Sequence, residues 1–290
     1  MLSFFDFQAM KSRFLVYVQL GRYDKPTGAF LLYLPCCWGL ALTSFTTIEI
    51  SLYMKFLLGS FLMRGAGCTI NDFFDRSFDN LVERTKSRPI ASGKVKPRDA
   101  LIFLCFQLLV SFLILLTFKP KTILISLSIT PFIFLYPLAK RVTAFPQVML
   151  GIIFNWGVLV SSIEVTGKVS QAALIVYLIG VIWTVFYDTI YAFQDMEDDR
   201  KIGVNSLTFV IFDYKKIFFL FLLSLMTILW VWVGCLSGAG LVFYIIVLVT
   251  LTLLAKHVIK LNLGNKKLCG EFFKMAPLYG TLFYFLMLWS

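Results

Sequence analysis

Histidine is nearly absent: the 290 residues contain one, His257. Metal centres built on imidazole, and nucleophile–histidine pairs, therefore lack their second partner. The six cysteines, Cys36, Cys37, Cys68, Cys105, Cys235 and Cys269, are scattered, mostly in apolar segments, with no CxxC spacing. They read as small packing residues and exclude a disulfide framework or a zinc site. Charge is scarce too. At 15% charged residues and a mean hydropathy of +0.83, the chain is too apolar for an ordinary soluble globule. No short repeat and no separate soluble domain is visible. The first 25 residues have neither the Arg/Ser-rich bias of a transit peptide nor a cleavable signal pattern. They end in FLVYVQL, amphipathic material suited to a membrane surface.

What the chain has instead is long apolar runs separated by short polar segments. Nine membrane spans are expected, near 28–48, 51–70, 99–118, 122–139, 146–163, 171–194, 214–236, 239–257 and 274–290. In lipid the backbone must satisfy itself, so the expected fold is an all-α polytopic membrane protein. A central cavity open to the cytoplasmic side, in one domain over 1–290, completes that expectation. Residues 1–27 form its amino-terminal interfacial segment, and 71–98 and 195–213 its catalytic loops. The net charge of +11 would suit nucleic acid, but its distribution argues otherwise. Loops after even-numbered spans hold most of the Lys and Arg; the opposite loops hold only Lys55, Lys119, Lys121 and Lys168. That asymmetry predicts a cytoplasmic amino terminus and an external carboxyl terminus, with lipid and not nucleic acid as the partner.

Two short stretches concentrate the acids. In TINDFFDRSFDN, Asn71, Asp75 and Asp79 are spaced i, i+4, i+8, one stripe on a helix with Asp72 beside it. In YDTIYAFQDMEDD, Asp188, Tyr191, Asp195 and Asp198/Asp199 again fall on one predicted helical face. Stacked carboxylates near hydrocarbon repel one another and cost free energy unless cations occupy them. Oxygen ligands with no histidine or cysteine suit Mg2+, which usually bridges carboxylates to substrate phosphates. Cations lie among the acids: Arg84, Lys86, Arg88 and Lys94 after the first run, Arg200 and Lys201 after the second. A magnesium–carboxylate site beside such cations is what a diphosphate requires. Arg64, seven residues before Asn71 inside the second span, adds an intramembrane charge, with Asp72 or Asp75 as candidate partners.

RGAGCTINDFFDRSFDNLVERTKSRPIASG, DTIYAFQDMEDDRKIG, RYDKPTGAFLLYLP and KRVTAFPQVMLGIIFNWG together resemble the UbiA-type intramembrane prenyltransferases. They look most like the branch that prenylates 4-hydroxybenzoate for ubiquinone synthesis. The resemblance covers about a third of the chain. It implies Mg2+-dependent transfer of a polyprenyl chain from its diphosphate onto the aromatic ring, next to the phenol hydroxyl. Asn71, Asp72, Asp75 and Asp79 match the first motif, and Asp188, Tyr191, Asp195 and Asp199, with Asp198 adjacent, the second. Asp72, Asp188, Asp195 and Tyr191 are the expected catalytic residues. Arg64, Arg84, Lys86, Arg88 and Lys201 are the expected diphosphate ligands.

The aromatic carboxylate needs a cation not already committed to diphosphate. Arg141 is the first candidate, then Lys140 and Arg22, with Asn155 a pocket-facing possibility. Either Asp188 or Asp195 is a candidate base for the ring proton. A divalent-cation transporter is the rival class, but its polar groups would cross the membrane depth. Sister enzymes taking a naphthoate, homogentisate or a porphyrin are a nearer alternative. The expected location is the bacterial inner membrane, before the mitochondrial one.

Overall fold

The apolar runs fold as helices, and their ends follow from local chemistry. The computed structural model describes residues 13–43, 49–203 and 205–288, excluding the side chains of Lys140, Arg141 and Ile202. Among these residues there is no strand. Helix α1 covers 13–20. It is followed by α2 (Thr27–Ala41), α3 (Ile50–Asp79), α4 (Pro97–Leu115), α5 (Pro120–Ser128), α6 (Thr130–Val142) and α7 (Pro146–Thr166). Then come α8 (Gln171–Ala192), α9 (Met196–Ile202), α10 (Leu207–Val210), α11 (Lys215–Ser237), α12 (Leu241–Lys260) and α13 (Lys266–Met287).

Proline opens α4, α5, α6 and α7 within the first two positions, where its missing N–H is no loss. The Ser170 hydroxyl accepts from the Ala173 N–H at the start of α8, and Asn265 caps α13 in the same way. Pro131 breaks what would be one long helix into α5 and α6, since it cannot donate back across Ile129.

Among the described residues, six segments are long and apolar enough to cross a membrane: α4, Pro120–Ala139, α7, α8, Phe212–Ser237 and α12. The other three expected segments also fall on helices but differ in kind. α2 is apolar and short, whereas α3 and α13 carry several charged residues. The first expected span, 28–48, stops as helix at Ala41, and 44–48 lie outside the described residues.

The packed half of the molecule joins α2, α7, α8, α11, α12 and α13. Trp38, Trp183, Trp230, Phe243 and Phe283 are buried there, with ring pairs such as Trp183–Phe283 at 5.6 Å. The Trp38 indole N–H donates to the Gly280 carbonyl at 2.9 Å, locking α2 to α13. Outward faces stay apolar: Phe106 and Leu109 on α4, Phe221 and Ile228 on α11, and Leu248 and Leu253 on α12 are all exposed. An apolar exterior is what a lipid solvent selects.

By contrast, α3, α4 and α6 share only small apolar clusters with one another, and a cavity opens beside them. A buried polar contact fastens the amino-terminal segment here. Gln107 on α4 donates to the Tyr23 hydroxyl at 2.8 Å, and Thr69 on α3 donates to Gln107 at 3.3 Å.

Close approach of α2 to α7 depends on Gly39. A Cβ there would meet the Val158 carbonyl carbon at 3.1 Å, a backbone atom that cannot yield as a side chain would. Gly39→Val is therefore expected to destabilise the folded protein by about 1–3 kcal/mol through overpacking. Thermal unfolding in detergent should show a lower midpoint; an unchanged midpoint would contradict the tight α2–α7 contact.

Candidate active site

The acidic end of α3 continues as helix through Asp79, well past its apolar part. The face it buries is set by Asp72 and Asp79, at 1% and 6% exposure, seven residues and two turns apart. Asn71 and Asp75 are only half-buried beside them. The expected Asn71–Asp75–Asp79 stripe is thus rotated by about one residue toward Asp72.

Two arginines, Arg22 and Arg88, meet these carboxylates. Arg22 Nη2 donates to both oxygens of Asp72 at 2.8 and 2.9 Å. Its Nη1 also donates to the carbonyls of Gln19 and Leu20, at the end of α1. Arg22 adopts φ +57°, a left-handed conformation that costs about 1 kcal/mol for a non-glycine residue. The loop after α3 returns Arg88, whose Nη1 reaches Asp72 at 3.1 Å and Asp79 at 3.0 and 2.9 Å. Burial pushes the Asp79 carboxyl up from the ordinary carboxylate range, while the Arg88 guanidinium pulls in the opposite direction.

Arg84 crosses to the second acidic run. It grips Asp195 through Nε at 2.7 Å and Nη2 at 2.5 Å, and donates to the Tyr191 hydroxyl at 3.1 Å. Phe273 of α13 packs against the Tyr191 ring, with centroids 4.4 Å apart and the planes tilted by 36°.

That second run is not one helix. α8 stops at Ala192 and α9 starts at Met196. The Gln194 side chain donates to the Tyr191 carbonyl at 3.1 Å, and i→i+3 bonds tighten the turn, so the α-helical ladder ends there. Asp188 and Tyr191 therefore sit on α8, Asp195 at the start of α9, and Asp198 and Asp199 on α9. The bend still leaves Asp188, Tyr191, Asp195 and Asp199 on one cavity wall, whereas Asp198 faces Lys201 at 3.7 Å.

The cavity encloses about 1590 Å³. Arg22, Asn71, Asp72, Arg84, Arg88, Asp188, Tyr191 and Asp195 line one end. Phe56, Phe112, Leu115, Phe118, Phe134 and Phe154 line the rest, which reaches Lys55. From Asp72 to Lys55, α3 rises about 25 Å along this wall. At Gly59 and Gly67 a Cβ would have no neighbour within 4 Å, so α3 leaves the channel bare there. One end thus offers oxygen ligands suited to a cation and guanidinium groups suited to an anion; the remainder of the wall is largely apolar.

Several expected site residues are elsewhere. Asn155 is 1% exposed and turned into the α7–α8 contact, donating to the Gly151 carbonyl and the Thr184 hydroxyl at 2.8 Å each. It does not line the cavity, because Gly180 opposite leaves room for it against α8. Lys86 pairs with Glu83 at 2.7 Å on the exposed surface, and Lys201 with Asp198; neither lines the cavity. Arg22 is on the cavity wall but bonded to Asp72.

Arg64 does line the cavity. It lies 5.4 Å over the Phe154 ring, with its Nε unpartnered, while Asp72 is taken by Arg22 and Arg88. The Lys140 and Arg141 side chains lie outside the described residues. His257 Nδ1 lies 3.0 Å from the Tyr279 hydroxyl.

Sequence reasoning passed over Tyr136, Gln147, Gln194 and Lys274, all on the cavity wall. The signal for Gln147 was available, as a lone polar residue in a stripe with Leu150 and Phe154. For Lys274, on a helix far along the chain, no local signal exists.

Residues 32–287 match the UbiA prenyltransferase family. The chain belongs to that family. It is 36% identical over 269 residues to a 4-hydroxybenzoate octaprenyltransferase of Neisseria meningitidis, covering 92% of this chain and 90% of that one. A mitochondrial 4-hydroxybenzoate polyprenyltransferase of Drosophila pseudoobscura is 46% identical over 193 residues, covering 66% of this chain and 49% of that longer protein. A solved UbiA homolog from Archaeoglobus fulgidus, bound to GPP and Mg2+, superposes with a TM-score of 0.70 at 17% identity, covering 94% and 99% of the two chains. That likeness shows the shared fold.

The donor set of this UbiA protein is carboxylate and amide oxygen, which fits a hard divalent cation. Among the described residues, no three acidic, histidine or cysteine side chains form a closed ligand group. Mg2+ bridged by substrate phosphates needs only one or two carboxylates and keeps its waters, so the residues present fit such an ion.

Arg88 carries two buried carboxylates at once. Arg88→Met leaves Asp79 without its guanidinium and is expected to cost about 3 kcal/mol. Chemical unfolding in micelles would register that loss, and an Asp79→Asn background should recover part of it.

Proposed function

We propose that this UbiA protein transfers a polyprenyl chain from polyprenyl diphosphate to 4-hydroxybenzoate, ortho to the hydroxyl, giving 3-polyprenyl-4-hydroxybenzoate for ubiquinone synthesis. The observation that carries the reading is one continuous cavity with a guanidinium–carboxylate end and a long apolar remainder. Few substrates other than an isoprenoid diphosphate need both. The acceptor is supported by the names of the relatives. Supporting the metal as Mg2+ is the oxygen-only donor set, together with the archaeal homolog that binds it.

Asn71, Asp72, Asp75 and Asp79 would hold the metal from one side, and Asp188, Asp195 and Asp199 from the other, with Asp198 turned to Lys201. When bound, Mg2+ supplies positive charge that makes the diphosphate a better leaving group. Arg84 and Arg88, now on Asp195 and on Asp72 and Asp79, are the cations that turn to the diphosphate oxygens as those carboxylates change partner; Arg64 adds charge from deeper in the cavity.

As the carbon–oxygen bond breaks, its electron pair leaves with the diphosphate. The apolar walls keep water from the allylic cation, and the faces of Tyr191 and its neighbours oppose its charge with ring electrons. The ring carbon next to the hydroxyl then forms the new carbon–carbon bond. Its proton passes to Asp188 or Asp195, both on the cavity wall. Arg141 and Lys140 are the carboxylate-binding cations of the reading.

The enzyme would act as a single unit in a bacterial inner membrane. The nine spans would place the cavity mouth and amino terminus on the cytoplasmic side, consistent with the charge asymmetry of the loops.

Membranes given labelled polyprenyl diphosphate and a panel of aromatic acceptors should yield prenylated hydroxybenzoate by mass. Product on a naphthoate or homogentisate alone would move the assignment to a sister acceptor. Asp75→Ala and Asp195→Ala should each lower turnover by at least about a hundredfold, in line with groups acting mainly on the leaving charge. Chelation should abolish turnover and Mg2+ restore it; EDTA-insensitive activity would sink the metal bridge.

A further inference from the structure

Two cavity-lining residues among those described carry a buried side-chain nitrogen or oxygen with no hydrogen-bond partner: Arg64, through Nε, and Gln147, through Oε1. They ask for opposite ligands. Arg64 can only donate, so it suits an anion. The Gln147 carbonyl oxygen can only accept.

Gln147 follows Pro146 in the first turn of α7 and is 4% exposed. Leu150, Phe154 and Gly157 continue its stripe along the same wall, leaving it the polar side chain of that face. α7 is held on both sides by α2 and α8 and starts at a proline, so Gln147 is presented from a fixed position. An amide oxygen left buried and unbonded carries an uncompensated desolvation cost. A rotation of the terminal amide toward a ligand in the cavity recovers that cost.

The substrates of the proposed reaction offer few donors. An ionised diphosphate has oxygen acceptors only, and the isoprenoid has none of either kind. A benzoate carboxylate is likewise acceptor-only. The phenolic O–H is the substrate donor left to meet a carbonyl oxygen.

We propose that Gln147 is an acceptor-binding residue whose side-chain oxygen receives the hydrogen bond of the phenolic hydroxyl. The contact fixes which ring carbon faces the allylic cation. It also leaves more electron density on the phenol oxygen, and so on the ortho carbon. An acceptor without the hydroxyl would leave the amide unpaired, which gives the site its selectivity. The inference rests on the proposed aromatic acceptor and adds the residue that reads its hydroxyl.

The test is equilibrium binding of 4-hydroxybenzoate and 4-methoxybenzoate to the full chain in nanodiscs with Mg2+, alongside KM for each substrate. Wild type should prefer the hydroxyl compound by roughly tenfold, the worth of one such bond. Gln147→Leu should bring the ratio within about twofold and raise KM for the acceptor without moving KM for the diphosphate, since one contact is lost. Gln147→Glu, which keeps an acceptor oxygen, should retain the preference. Gln147→Met serves as the unbranched apolar variant should leucine disturb folding.

An unchanged ratio in both apolar variants would overturn the inference. So would a rise in KM for diphosphate or in the Mg2+ requirement, since the amide would then be facing metal-bound water. If wild type binds neither benzoate yet prenylates another ring, the acceptor assignment itself has failed.

Discussion

Asp72 is 1% exposed at the edge of an apolar bundle, and a lone carboxylate there would carry a desolvation cost of several kcal/mol. Much of the surrounding architecture follows from removing that cost. The amino-terminal segment folds back so that Arg22, in a left-handed conformation, places one guanidinium nitrogen, Nη2, on both of its oxygens. The loop after α3 returns over the same carboxylate to add Arg88, which takes Asp79 as well. The guanidinium groups that neutralise the acids are chemically what an incoming diphosphate needs, and the acids are what its metal needs. Each side of the site therefore neutralises the other in this structure.

The molecule is divided to match. One half is closely packed, with tryptophans and phenylalanines filling the spaces among α2, α7, α8, α11, α12 and α13. The other half, around α3, α4, α5 and α6, is left hollow. Rigid helices set the walls, and the polar end is assembled from loops and helix ends that the rigid half brings together. Tyr191 illustrates the join, since both Phe273 of the packed half and Arg84 of the polar end lie against its ring. Buried packing thus controls the position of a side chain at the chemical end.

Much of this was legible in the residues. The apolar runs announced helices, although the break at Pro131 inside the expected 122–139 span appeared only in the structure. The two acidic runs marked the polar end. Other expectations failed for identifiable reasons. The second acidic face was expected as one helix, but Gln194 takes the Tyr191 carbonyl and bends the chain. Asn155 was expected in the pocket, but Gly180 on a neighbouring helix makes room for it in the α7–α8 contact. Lys86 and Lys201 have the same sequence context as Arg84 and Arg88, yet they point outward.

Sequence alone determined the properties that depend on near neighbours. Hydropathy over some twenty residues specifies a membrane helix, and spacing by three or four specifies which acids share a stripe. Only the tertiary structure decided which arginine meets which carboxylate, and which wall of the cavity carries an unbonded amide. Those outcomes depend on elements far apart in the chain, as with Arg84 and Asp195 or Arg22 and Asp72. A side chain's role there is set by the space its distant neighbours leave, which no local pattern encodes.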